Sequence, residues 1–430
     1  MEKRVVILGG GFAGLSAALR LRRAPLGATA AGLRVTVCDP RPDFEFLPNI
    51  HELLSGRRKP EHLRIPWAQL AGGRGMSYLQ EAGVAIDLEQ REVETERGKV
   101  LPYDVLVVAV GGVNNTFGVE GAETYARPFK SVADCWGIAE RLNELERQPT
   151  GHRSVVVVGG GLEGIEATGE ILRREGGGSR KGGRRSARAG DGGLSTLHLV
   201  EASDRLISTG PVTLSAELTR SYAQLGVSIN LETMVTRVEP GRVRVRTATG
   251  ERWLDSDLTI WTGGVKAPRL LHDAGLAPGP GRWAPVTANL QSTLDERVFV
   301  AGDAADFETP LAKQAYHALD MGALIGENIL RQLAGVPLRP FTPDPKPMLL
   351  ACGPHGTYLV TGERAFSAPG LDSAKDLILQ AEMARLDSAT GLPGLGRTTR
   401  RLTGTLTHRV CEAVRSPVAF AREIRPRYIS

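Results

Sequence analysis

Two copies of one pattern predict an α/β protein with two Rossmann-like halves. Each copy is a run of β-branched residues, then a glycine-rich turn, then an alanine- and leucine-rich helix. They are RVVIL–GGGFAG from residue 4 and SVVVV–GGGLEG from residue 154. A third apolar run with its own glycine turn, RVFVAGDAAD at 297–306, comes late in the chain and predicts that the first half is interrupted by the second.

The first copy continues through the helical pattern LSAALRLRR to the strand LRVTVCD at 33–39, a complete βαβ unit. YDVLVVAVGG at 103–112 reads as a further strand that runs into a glycine turn. In the second copy the helix IEATGEILRR leads to the strand LHLVE at 197–201, and DLTIWTGG at 257–264 closes the unit. After the third apolar run, ALDMGALIGENILRQL at 318–333 has the periodicity of a long helix. The expected organisation is residues 1–125 as the first part of one domain, 126–265 as the second domain and 266–340 as the return to the first. Residues 341–430 form a C-terminal region beyond the proline cluster FTPDPKP. Residues 173–193 are glycine and arginine almost without apolar groups and read as a disordered insertion, because nothing there offsets chain entropy.

The bulk properties fit this reading. A chain of 430 residues with 41% hydrophobic, 23% charged and 5% aromatic residues belongs to the globular class and has room for two or three domains. No stretch approaches the ~20 apolar residues of a membrane-spanning helix, and MEKR runs directly into a strand without an export signal. Cys38, Cys135, Cys352 and Cys411 are too scattered for a disulfide framework or a zinc site, so a reducing cytoplasm is the expected compartment and no metal is expected. The net charge of +5 comes without interleaved aromatics or a nucleic-acid-binding module, so nucleic acid is not an expected partner.

The chemistry lies in the turns. In G-x-G-x-x-G the first glycine permits the tight turn and the second lets the backbone approach a pyrophosphate at the helix N-terminus; the acidic residue ending the next strand accepts from a ribose hydroxyl. Gly9, Gly11 and Gly14 with Asp39 meet this description, and so do Gly159, Gly161 and Gly164 with Glu201. Two such sites on one chain, followed by the AGD turn at Gly302 and Asp303, suit a flavin facing a nicotinamide.

In order along the chain, GGGFAG, YDVLVVAVGG, VVVVGGGLEGIEATGE, IWTGGVKAP and VFVAGDAAD resemble the flavoproteins of the pyridine nucleotide-disulfide oxidoreductase superfamily. Over residues 1 to about 335 the likeness is closest to type II NADH dehydrogenases, and FLPNIHELLSG at 46–56 and NNTFGVEGAE at 114–123 are among its most specific pieces. The resemblance implies that Gly9, Gly11, Gly14, Asp39, Gly111, Gly302 and Asp303 hold FAD, with Pro48 beside the isoalloxazine. It implies that Gly159, Gly161, Gly164, Glu201 and Gly263 hold NADH, with NADPH left open. Glu166 matches a family glutamate that approaches the nicotinamide, although it also suits a helix surface. The implied activity is NADH:quinone reduction without proton pumping, hydride passing from NADH to FAD and electrons then to a quinone. A soluble reductase feeding a redox protein and a redox-sensing interaction protein are the alternatives, and a homodimer is left open.

Three departures stand out. The flavin-side strand ends in Ala109, Val110, Gly111 where the family usually has A-T-G. The family's glutamine-rich quinone segment is replaced by AKQAYHA, which puts Lys313 and His317 in candidate catalytic positions and is similar to the apoptosis-inducing-factor-related NAD(P)H:quinone reductases. Lys313 would stabilise negative charge on a reduced flavin and His317 would relay protons near neutral pH. The paired cysteines of sulfide:quinone and disulfide reductases have no counterpart in the spacing here. Leu402, Leu406, Val410 and Val414 recur at helical spacing among Arg400, Arg401, Arg409 and Arg415, a basic amphipathic tail suited either to the inner face of the cell membrane or to packing on the flavin domain.

Overall fold

An apolar run in the middle of a parallel sheet is covered on both faces, and the last four residues of the first strand, β1 (Lys3–Leu8), are all buried. In the computed structural model, which describes residues 2–22, 32–72, 76–148, 153–176, 194, 196–386 and 427–428, β1 is followed by α1 (Phe12–Arg22), β2 (Leu33–Cys38), β3 (Ser77–Leu79) and β4 (Val105–Val108). The chain then builds a second sheet from β5 (Ala126–Pro128), α2 (Val132–Arg147), β6 (Ser154–Val158), α3 (Leu162–Gly176), β7 (Thr196–Val200), α4 (Val212–Gln224), β8 (Val227–Asn230) and β9 (Leu258–Trp261). Its strands are parallel in the order β5–β9–β6–β7–β8. On its return the chain adds β10 (Val298–Val300) beside β4, which completes the first sheet as β10–β4–β1–β2–β3, again all parallel. The two passages between the sheets pair with each other, Val113 opposite Lys266 and Asn114 opposite Val265. The doubled Rossmann-like architecture read from the two glycine motifs is therefore the observed one.

After β10 comes α5 (Ala315–Leu333), which lies directly on α1. The approach is backbone to backbone. A β-carbon on Gly322 would stand 2.1 Å from the Ala13 carbonyl oxygen, and one on Gly326 would stand 2.9 Å from that of Ala17. Ser16 Oγ donates to the Leu319 carbonyl at 2.7 Å across the same seam. Glycine costs helix stability, so its place here is explained by packing.

The C-terminal region adds an antiparallel sheet, β11 (Met348–Ala351), β12 (Thr357–Thr361) and β13 (Arg364–Ser367), and then α6 (Leu371–Leu386). It is seated on α3 of the second half through another glycine contact: a β-carbon on Gly353 would lie 1.9 Å from the Gly169 carbonyl oxygen. Arg173 donates to the Gly353 carbonyl at 2.6 Å.

That contact also corrects the expected start of the insertion. Residues 173–176 are the last turn of α3, where Arg173 pairs with Glu170 and Arg174 with Glu146, so these two arginines have ordered acidic partners. Residues 177–193 lie outside the described residues, as do Cys411 and the tail pattern from Arg400 to Arg415. Among the described residues, no helix is long and apolar enough to cross a membrane.

Gly322→Ala should destabilise the protein although alanine is the better helix former by ~1 kcal/mol, because the added methyl must push α5 off α1. A net loss of about 1–3 kcal/mol is expected for such overpacking, read as a lower denaturation midpoint.

Candidate functional site

The two glycine turns divide the work identically. Gly9 has φ +96°, and a side chain there would meet the Ala109 carbonyl oxygen at 2.2 Å. Gly14 packs so closely on the first turn that a β-carbon would lie 1.9 Å from the Gly9 oxygen. Around the middle position, Gly11, a β-carbon would have nothing within 4 Å. In the second copy Gly159 has φ +104°, Gly164 would meet the Gly159 oxygen at 1.8 Å, and Gly161 again faces open space. The outer glycines shape each turn, and the middle one leaves the helix N-terminus bare for an anionic group. Both cradles fit a dinucleotide pyrophosphate.

The acids at the ends of β2 and β7 have a task within the protein itself. Asp39 Oδ2 accepts from the Gly10 amide at 2.6 Å, and Glu201 Oε2 accepts from the Gly160 amide at 2.5 Å. Each carboxylate thus holds its glycine turn in place. They differ in their arginines. Arg41 forks over Asp39, both contacts 3.1 Å. Arg205 instead donates to the carbonyls of Ser208 and Gly210, which directs its guanidinium to its own loop.

Gly111 has φ +64° and continues the turn after β4. Gly302, φ +65°, lies between the β-carbons of Ala13 and Ala318. Asp303 follows on the wall of a cavity of about 160 Å³ that Trp283, Lys313, Gln314, His317 and Met321 also line. Burial pushes the Asp303 carboxyl up, against the pull of Lys313 and Lys130.

Lys313 and His317 face the cavity with their polar atoms already engaged. Lys313 Nζ donates to the carbonyls of Asp303 at 2.7 Å and Ala305 at 3.0 Å and stands 4.2 Å from the Trp283 ring centroid. Burial lowers its ammonium pKa, while Asp303 and Asp306 oppose the shift. His317 has Nδ1 3.1 Å from the Ala312 carbonyl and Nε2 3.3 Å from that of Asp344. Lys313 thus braces the turn that carries Asp303, and His317 joins the segment before α5 to the one that holds Asp344.

Pro48 opens the short helical turn Leu47–Leu53, and Gly263 packs on the Trp261 indole just beyond β9. Glu166 lies one turn into α3, where the three regions of the chain meet. Its Oε1 accepts from Lys375 Nζ at 2.6 Å and from the Ala351 amide at 3.3 Å, and its Oε2 is 3.4 Å from His51 Nδ1. It is therefore a tethered group at a junction, which replaces the helix-surface alternative. Burial raises its carboxyl pKa; Lys375 and the Ala351 amide pull it down. His51 is almost wholly enclosed, and burial together with Lys375, Arg57 and Arg173 holds its imidazole pKa well below 6.5. Sequence reasoning missed Lys375 and His51 as partners of Glu166. They are separated by hundreds of residues, and no spacing rule joins them.

Cys38, Cys135 and Cys352 are buried and free, and burial raises all three thiols, Cys38 to about 11. Among the described residues there is no thiol pair of the kind disulfide chemistry uses.

Known proteins resemble this chain over most of its length. The chain is 26% identical over 384 residues to the demethylphylloquinone reductase NdbB of Synechocystis sp., covering 87% of this chain and 91% of that protein. It is 26% identical over 385 residues to the type II NADH:quinone oxidoreductase of Haemophilus influenzae, covering 81% and 85%. Solved structures share the fold: NDH2 from Plasmodium falciparum in complex with NADH (TM-score 0.76, 15% identity, 94% of this chain and 97% of that one) and the sulfide:quinone oxidoreductase of Aquifex aeolicus (TM-score 0.75, 19% identity, 93% and 95%). The family described as pyridine nucleotide-disulphide oxidoreductase matches residues 3–322, which include both cradles and the AGD turn, and the chain belongs to that family.

Proposed function

We propose that this protein is an FAD-dependent NADH:quinone oxidoreductase that does not pump protons. The observation that carries the reading is the pair of complete cradles, each with its middle glycine open, with Glu166 tethered just beyond the second. The names of the relatives support the choice of substrates. FAD would lie on Gly9, Gly11, Gly14, Asp39, Gly111, Gly302 and Asp303, with Pro48 beside its ring. NADH would lie on Gly159, Gly161, Gly164, Glu201 and Gly263.

When bound, the cofactors supply the redox chemistry: a hydride leaves the dihydronicotinamide for the flavin, and two electrons then go to the quinone. The chain's own part is placement and proton supply. Holding the reacting rings in contact can supply ~7 kcal/mol or more of the barrier reduction. Glu166, fixed by Lys375 and facing His51, is the carboxyl at the junction that would exchange a proton, and burial favours its neutral form. Lys313 and His317 hold the wall on which the acceptor would rest. The basic tail is proposed to keep the protein at the inner face of the cell membrane, where quinones reside.

The purified protein should be yellow, bleach on anaerobic titration with NADH and regain its colour with a short-chain quinone. Fast reoxidation by a redox protein but not by quinone would refute the quinone assignment. In stopped-flow measurements Glu166→Gln, Lys313→Ala and His317→Ala should slow reoxidation by quinone, by ~10²-fold where a proton-transfer group is lost, with flavin reduction by NADH near the parent rate.

The cofactor preference should favour NADH. Glu201 presents a carboxylate to the ribose end of the second cradle while Arg205 is turned to its own loop, so a 2′-phosphate would meet negative charge. kcat/KM for NADH should exceed that for NADPH by about tenfold or more, and Glu201→Gln should narrow the gap.

A further inference from the structure

The first turns of the two cradle helices differ at one position. GGGFAG carries Ala13 where GGGLEG carries Glu163. Ala13 is packed beneath α5, its carbonyl oxygen facing Gly322. Glu163 instead points to the surface, 39% exposed, between the open Gly161 and the packed Gly164. A carboxylate there lies beside the ground that a pyrophosphate must occupy. It already takes up the favourable field of the helix N-terminus and repels a second anion.

Glu163 does not stand alone. Its carboxyl is raised first by burial and further by the neighbouring carboxylates of Glu166 and Asp303. Two further acids thus lie close enough to act on Glu163, Asp303 from the first half and Glu166 from the same helix. Each of the three has a lysine beside it: Lys375 bonds Glu166, Lys313 lies against Asp303, and Lys130 forms an ion pair with Glu163. Lys130 comes from the link between β5 and α2, where its backbone amide is fixed by Asp134 at 3.2 Å. It is also one of the two lysines that pull the Asp303 carboxyl down.

We propose that Lys130 sets the affinity of the second cradle for its nicotinamide dinucleotide by neutralising Glu163. The inference rests on the dinucleotide reading of that cradle and goes beyond it by naming an ion pair outside the glycine motif. Lys130 acts through Glu163 and is a positioning residue. Removing the lysine leaves an uncompensated carboxylate next to the pyrophosphate; removing both charges leaves a neutral surface in their place.

Calorimetric titration of the FAD-loaded protein with NAD+, which binds without reducing the flavin, tests this in a double-mutant cycle. Lys130→Met should weaken NAD+ binding by about tenfold, a coupling of ordinary size for neighbouring charges. Glu163→Gln should bind at least as tightly as the parent. The double variant Lys130→Met/Glu163→Gln should return to within about threefold of the parent, with FAD content unchanged throughout. Parent-like affinity in Lys130→Met overturns the proposal, and so does a double variant as weak as the lysine variant alone. Should Lys130→Met lose FAD, Glu163→Gln decides by itself, and weaker NAD+ binding there overturns the proposal. A parent protein that binds FAD but no NAD+ would instead refute the reading of the second cradle.

Discussion

Much of this structure depends on one hydrogen bond made twice. The acid that follows β2 or β7 accepts from the amide that follows the first glycine, Asp39 from Gly10 and Glu201 from Gly160. A glycine turn has little intrinsic preference for one shape, because glycine loses more conformational freedom on folding than any other residue. A charge-assisted bond from a rigid neighbouring strand selects the shape and points the helix N-terminus at the site. The cradle is therefore organised before any ligand arrives, so less of the binding energy goes into ordering the loop.

The residues beside the two cradles gather charge. Asp303 comes from the first half, Glu163 and Glu166 from the start of α3 in the second, and burial makes each harder to ionise. The lysines beside them, Lys313, Lys130 and Lys375, come from three further segments. Losing one partner of such a pair costs more than the pair itself contributes, since the remaining charge is left poorly solvated. That asymmetry ties the C-terminal region to the two Rossmann-like halves: Lys375 on α6 and the Ala351 amide on β11 both complete the surroundings of Glu166.

The halves are similar in architecture and different in electrostatics. Around the first acid an arginine forks over the carboxylate; around the second the nearby arginine is turned to its own loop. The first helix begins with an alanine packed under α5, the second with a glutamate facing the surface. The two halves share the path of the backbone, and side-chain differences at a few positions give the two cradles different charge surroundings.

The sequence by itself determined the fold class and the two cradles, because these depend on local chemistry. An apolar run, a glycine turn of set spacing and an acid about 25 or more residues later are readable without knowing where the chain goes next. It also placed Lys313 and His317 near the AGD turn, since both follow it closely along the chain. Tertiary structure decided what those side chains touch: the carbonyls of Asp303, Ala305, Ala312 and Asp344 occupy their polar atoms. It likewise decided the meeting of Glu166 with His51 and Lys375, and of Glu163 with Lys130. Such contacts follow from the crossing of distant segments, and a charged residue that later finds a partner has no pattern along the chain to distinguish it from one that stays in water. The glycines of α5 show the same limit, because Gly322 and Gly326 weaken a helix in sequence terms and become necessary once α1 lies against them.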